Sequence, residues 1–299
     1  MKRVFVIILT LALVLTLSGC KGPAVAPAAP GADDAVPAAP VKPEDTAWRY
    51  DLTTETSLEK YRADNGTLLA VWRYEQPVLQ LRNAGGEPFS GDMPGRGVTE
   101  AQLTVCKAFN TAASESAQNA RASFEDLKAG ALEQYTEMGE EYRAFFDEHT
   151  EETWVAEVYW GGDLLDITLS FTGYWGGAHG GASVRSLHFD LAAGEFVTLN
   201  DLSDDPAALR AAIAENIIAQ IRGGEATDEY FEGWEDTIRA KDDFNADFSG
   251  DAMTVTFEQY EIAPYVVGMP EFTIPYELLA PHLNARGARL LGLSQEAAG

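Results

Sequence analysis

The stretch Leu164-Leu165-Asp166-Ile167-Thr168-Leu169-Ser170-Phe171-Thr172-Gly173-Tyr174-Trp175-Gly176-Gly177-Ala178-His179-Gly180-Gly181 decides the fold class. Leu165, Ile167, Leu169 and Phe171 alternate with Asp166, Thr168 and Ser170, the period of two expected of a half-buried strand. Past Thr172 that period is lost, and five glycines surround one histidine and two large aromatics. Glycine reaches positive φ at little cost and lets another backbone come close, so this composition demands a tight, unusual path. Ser183 to Asp190 reads as the strand that leaves it, and Ala193-Gly194 turns the chain into Phe196 to Leu199. Together these form an antiparallel meander with the glycine loop at its rim. A structural turn is the simpler reading of that loop and a binding edge the sharper one.

Toward the N-terminus, Trp154, Ala156, Val158 and Trp160 alternate as a further strand, as do Trp48, Tyr50 and Leu52. Leu68 to Tyr74 and Val78 to Leu81 read as two strands separated by Pro77. From Thr99 the spacing changes to three and four, with Leu103, Cys106, Phe109, Ala113, Phe124, Leu127, Ala131 and Tyr135 on one face of a long amphipathic helix. Gly130 and Gly139 are expected to break it. Toward the C-terminus, Asp205-Pro206 caps a helix carrying Leu209, Ile213, Ile217 and Ile221 on one face. Phe244 to Phe248 and Met253 to Phe257 form a hairpin about Ser249-Gly250-Asp251, and Phe272 to Pro275 is a last strand before a short helix. The class is α+β, antiparallel sheets with packed amphipathic helices.

Lys2-Arg3 followed by the apolar run Val4 to Leu17 has the pattern of a secretory signal over residues 1–19. Leu17-Ser18-Gly19-Cys20 resembles a bacterial lipobox, which predicts cleavage before Cys20 and its lipidation, hence anchoring at the extracytoplasmic face of the cell membrane. The Pro- and Ala-rich remainder of residues 20–46 reads as an extended tether of roughly 80 Å. Cys106 is then the one cysteine left, lies on an apolar helical face, and reads as packed rather than reactive. The formal charge of −26 disfavours nucleic acid and anionic polymers as partners and would steer a cationic protein inward.

Gly176-Gly177-Ala178-His179-Gly180, then Leu199-Asn200-Asp201-Leu202, then Tyr260-Glu261-Ile262-Ala263-Pro264-Tyr265 resemble, in order and spacing, a domain shared by RsiV-type and PdaC-type bacterial cell-surface proteins. The resemblance places that domain over residues 153–285, after a strand-and-helix region over 47–152 and before a tail over 286–299. It implies an extracellular α+β domain; RsiV-type members are anti-sigma factors that sense lysozyme through it, and PdaC-type members append it to a peptidoglycan deacetylase. A cytoplasmic sigma-factor-binding segment and a deacetylase domain are not expected here. A lipid-anchored binding or sensing protein is, with a lysozyme-like cationic protein or a cell-wall glycan as partner.

The four histidines, His149, His179, His188 and His282, match no helical zinc spacing, no nucleophile elbow or phosphate loop occurs, and no cofactor is expected. Asp243, Asn245 and Asp247 imitate the opening of a calcium loop, but Phe248 stands where glycine is required. The ligand-binding candidates are Tyr174, Trp175, His179, Tyr260, Glu261 and Tyr265, because aromatics give rigid contact area and stack on sugars. The alternative is an envelope hydrolase using His179 and a carboxylate; Glu261 would serve if the two motifs meet, although capping backbone amides is its simpler role.

Overall fold

Two antiparallel strands open the fold in the computed structural model, which describes residues 47–224 and 227–293; the signal, Cys20, the tether and the last residues of the tail lie outside them. Strand β1 (Arg49–Arg62) pairs along its whole length with β2 (Leu68–Arg82). Pro77 does not divide β2. The Leu79 peptide points away from β1, toward Asn110, and Pro77 shares that parity, so its missing N–H falls on the side where no ladder bond is required.

Helix α1 (Glu100–Glu137) begins at a capping box in which the Thr99 hydroxyl accepts from the Gln102 amide and the Gln102 side chain accepts from the Thr99 amide. It runs unbroken through Gly130, where a side chain would meet open space, and stops just before Gly139. The helix is a crossover, since the next strand, β3 (His149–Gly161), lies parallel to β2 over Ala70–Tyr74. That parallel pair was not expected from the sequence; among the described residues all other strand pairings are antiparallel. Beyond Tyr74 strand β2 leaves β3, the Glu75 carboxylate accepts the Val155 amide at 3.2 Å, and Asn110 of α1 takes both polar groups of Leu79 at 2.8 and 2.9 Å.

Strands β4 (Leu164–Tyr174), β5 (Gly181–Asp190) and β6 (Glu195–Val197) complete a six-stranded sheet in sequence order. A bulge between Val155 and Glu157 shifts the register of β3 and puts Val155, Val158 and Trp160 on one face, opposite Leu169, Ile167 and Leu165; Val158 and Trp160 stay exposed there, past the point where β2 leaves β3. After α2 (Pro206–Gly223), capped by Asp205, and the short α3 (Trp234–Arg239) comes a second sheet of β7 (Ala246–Ser249), β8 (Ala252–Thr256) and β9 (Glu271–Pro275). The chain then forms α4 (Tyr276–Leu279) and α5 (Ala285–Leu290). Leu290 and Leu291 are buried, so the fold continues into residues read as tail.

One core lies between α1 and the larger sheet, where Phe109 meets Leu165, Ile167 and Phe189; Cys106 belongs to it, and burial pushes its thiol up to about 11. A second packs Ile213 and Ile217 of α2 on Phe248, Met253, Val255 and Ile274 of the smaller sheet, and a third packs Phe124, Leu127 and Ala131 of α1 on Leu69, Trp72 and Tyr74 of β2. Polar joins tie these layers together. Buried Asp166 on β4 accepts from His188 Nδ1 at 2.7 Å and from the Phe248 amide at 2.6 Å. Asp190, fully buried at the end of β5, accepts from the Ala192 and Ala193 amides and from Arg286 and Arg289 of α5.

Burial alone would raise the Asp190 pKa, but Arg289, the Ala193 amide and Arg286 outweigh it and hold the carboxyl below its ordinary 3.8. Its contribution is therefore complete above that pH and fades as pH falls below it. Asp190→Ala should cost about 1–3 kcal/mol in a denaturant melt, because the Ala192 and Ala193 amides and two part-exposed arginines lose a buried acceptor. Asp247 behaves oppositely: burial first, then Asp166, Glu157 and Glu271, push it up to about 6. A raised carboxyl pKa destabilises the fold above that value, so wild type should gain stability as pH falls from 6 toward 4. Asp247→Asn should remove that gain and add about 1 kcal/mol at pH 7, measured by melting across the range.

Candidate functional site

The glycine loop joins β4 to β5, and its first and last strand residues, Gly173 and Gly181, face each other. Trp175 folds back over this pair. A Cβ on Gly173 would stand 2.4 Å from its indole, and one on Gly181 would stand 3.4 Å away. The indole stacks near Phe171 at 6.0 Å and donates from Nε1 to Glu151 at 2.9 Å. Gly180 is dictated by its own backbone contact, since a Cβ there would lie 2.4 Å from the Gly173 carbonyl oxygen. The Tyr174 hydroxyl donates to Gly177 O at 3.1 Å and ties the loop across.

His179 turns to the segment that follows β8. Its Nδ1 donates to Gly180 O at 2.9 Å, which leaves Nε2 to accept from the Tyr260 hydroxyl at 3.5 Å. The imidazole lies on the Tyr265 ring at a centroid distance of 4.2 Å, and the Tyr265 hydroxyl donates to the same Gly180 carbonyl at 3.4 Å. Tyr260 and Tyr265 are 5.7 Å apart. Tyr260 has φ of +65°, a left-handed conformation that costs a non-glycine residue about 1 kcal/mol or more. The surface is open: Tyr260 is 53% exposed and Val266 is 89% exposed. Exposed Phe231 stands close by, its amide bonded to Ile262 O at 3.0 Å.

Side-chain caps on β5 bring these pieces together. The outward groups of Val184 and Ser186 are taken by the Asn245 amide at 3.0 and 2.9 Å, and the Ala182 amide donates to Gln259 at 3.0 Å. Gln259 directly precedes Tyr260. Asn245 is thus an edge cap rather than part of an ion loop. Among the described residues no three His, Cys, Asp or Glu side chains stand together as a metal site requires.

His179, Tyr260 and Tyr265 therefore form one cluster, whereas the other three candidates lie outside it. Glu261 is engaged by the Lys241 ammonium and by the Glu258 amide at 2.9 Å, the amide-capping role, and has no bond to His179. Tyr174 stands edge-on to His149 at 6.3 Å. Trp175 lines a separate cleft of 470 Å³ between α1 and β3, with Asp126, Glu133, Gln134, His149 and Glu151. His149 is buried there, its pKa lowered by desolvation, with Nε2 2.5 Å from Gln134 Oε1. Sequence reasoning missed Val266, Phe231 and Gln259, and it noted Asn245 without seeing its capping role. Only Val266, an apolar residue beside Tyr265 in a segment with no strand period, carried a visible signal.

Gly180→Ala forces its Cβ onto a carbonyl and should destabilise the fold by about 1–3 kcal/mol. The same substitution should red-shift Trp175 fluorescence as the indole lifts from Gly173 and Gly181; unchanged melting and emission would contradict the packing described.

The family model described as "Protein of unknown function (DUF3298)" matches residues 200–277, the span that holds α2, the smaller sheet and the Tyr260–Tyr265 segment but not His179. No curated protein is similar to the chain. A crystal structure of a DUF3298 family member from Bacteroides fragilis is similar at 17% identity and a TM-score of 0.54, covering 81% of this chain and 96% of that one. A DUF3298 family protein from Pseudomonas aeruginosa is similar at 15% identity and a TM-score of 0.43, with the same coverage of 81% and 96%. The chain thus carries a DUF3298 match over residues 200–277 and shares the overall fold of the Bacteroides fragilis protein.

Proposed function

We propose that the chain is a lipid-anchored binding or sensing protein of the bacterial envelope, and that His179, Tyr260, Tyr265 and Val266 form its contact surface. The observation that carries this is the exposure of that cluster. Two tyrosines and a valine are held in the open by a stacked histidine and by a strained backbone at Tyr260, where burial would otherwise be favoured. Rigid aromatics with exposed rings suit a protein partner or a sugar face. The negative charge of the chain favours a cationic partner, and a lysozyme-like protein of the wall environment fits both properties. The hydrolase alternative has less support, because Glu261 is held by Lys241 and the Glu258 amide and the partners of His179 are neutral.

Titration calorimetry of the chain from Ala47 onward should give heat with lysozyme that falls as salt is raised, and less with muropeptides. Tyr260→Ala with Tyr265→Ala should weaken lysozyme at least about tenfold while leaving the melting transition cooperative. No heat with either ligand, together with turnover of a wall substrate that His179→Ala abolishes, would overturn the proposal.

A further inference from the structure

A second cavity lies between α1 and the larger sheet, where β2 parts from β3 and α1 spans the gap. Its volume is 170 Å³, and Ala112, Ala113 and Ser116 of α1 face Leu169 and Leu187 of the sheet across it, with Phe196 as a side wall. The helix presents small residues here, whereas four residues earlier Phe109 fills the space against Phe189 at 5.2 Å and Phe196 at 5.5 Å. The void is therefore a place where the packing of this core stops short.

Arg185 stands at its rim. It faces Leu169 in the β4–β5 register, so it shares the sheet face that α1 covers further along at Phe189. A cation on that face is out of pattern. Arg185 and Phe196 are the exposed members of the lining, which places the mouth of the cavity beside the guanidinium. Most arginines of α2 to α5 are matched to carboxylates, as Arg222, Arg239, Arg286 and Arg289 are, but Arg185 forms no ion pair with any described residue.

We infer that this cavity binds a small apolar carboxylate, its hydrocarbon body between α1 and the sheet and its anion on Arg185. The size sets the class: a guest the size of benzene needs about 150 Å³ of dry apolar space, so one ring or a chain of similar bulk fits and a long acyl chain does not. The charge sets the head group, since a planar guanidinium pairs with a carboxylate through two parallel N–H bonds. The negative field of the chain opposes anions at long range. Affinity therefore comes from contact with Arg185 and from apolar burial together.

Phenylacetate is the probe, with phenethyl alcohol as its neutral counterpart, followed by amide chemical-shift titration of the protein. Phenylacetate should bind with a dissociation constant of about 1 mM and shift the Leu169, Arg185 and Leu187 amides. Arg185→Gln should weaken phenylacetate about tenfold and leave phenethyl alcohol unchanged, which also shows that the cavity is still folded. Ala112→Leu, which fills the cavity from a half-buried position, should abolish binding of both. A peptide ending in a free C-terminal phenylalanine that outcompetes phenylacetate would identify a chain terminus as the natural source of the carboxylate, and one that fails would identify a free acid. Equal affinity for the acid and the alcohol, insensitivity to Arg185→Gln, or shifts mapping to other residues would overturn the assignment.

Discussion

Strand β5 is much longer than its outer neighbour β6, and the backbone groups left over constrain much of what surrounds them. Only His188, Phe189 and Asp190 pair with β6, so the outward amides of Ala182 and Ser186 and the carbonyl of Val184 need other partners. Leaving one such group unmade costs about 1–3 kcal/mol when water is excluded. Asn245 and Gln259 supply the bonds, and each is anchored in the smaller sheet's surroundings: Asn245 directly precedes β7, and Gln259 follows β8. The edge that would have been a liability becomes the seam that fixes the second sheet. Asn110 of α1 does the same for β2, its amide matching both polar groups of Leu79.

The seam has an electrostatic cost that appears one strand away. Asp166 must be buried to join His188 to the Phe248 amide, and Asp247 on β7 has its pKa raised first by its own burial and then by that nearby carboxylate. Asp190 shows the complementary solution at the end of β5. Two arginines and two backbone amides surround it, and α5 is thereby fastened to the larger sheet. Buried carboxylates act here as joints between layers, and the quality of each joint depends on how many donors converge on it.

Elements with a sustained local period were legible in the sequence. The apolar faces of α1 and α2, the alternation along β4 and the Asp205-Pro206 cap are all decided by neighbours within a turn or a pleat. What was not legible depends on partners far along the chain. Pro77 reads as a strand end unless one knows that its nitrogen faces an unpaired edge, and Gly130 reads as a break unless one knows that buried residues on both sides of it keep α1 continuous. Val158 and Trp160 face the same side as buried Ile167 and Leu165 yet stay exposed, because β2 has already left β3 at Thr153, and nothing in their alternation marks that end of cover. In the site, the pairing of the histidine loop with the tyrosine segment was visible as two motifs, but the sequence could not place Trp175 on the far side or give Glu261 to Lys241.

The division of the loop into two sides follows from a single carbonyl. Gly180 O accepts from both His179 Nδ1 and the Tyr265 hydroxyl, so imidazole and phenol are held over one another from a shared point. Gly180 can carry that load only because it has no Cβ, which would collide with Gly173 O just across the loop. The same close approach brings Gly173 and Gly181 face to face and makes the flat bed on which Trp175 lies, pointing toward Glu151 and α1. The glycines thus do more than permit a turn. They set the two aromatic groups on opposite sides, and they make His179 a positioning element for Tyr265, with its one remaining ring nitrogen turned to Tyr260.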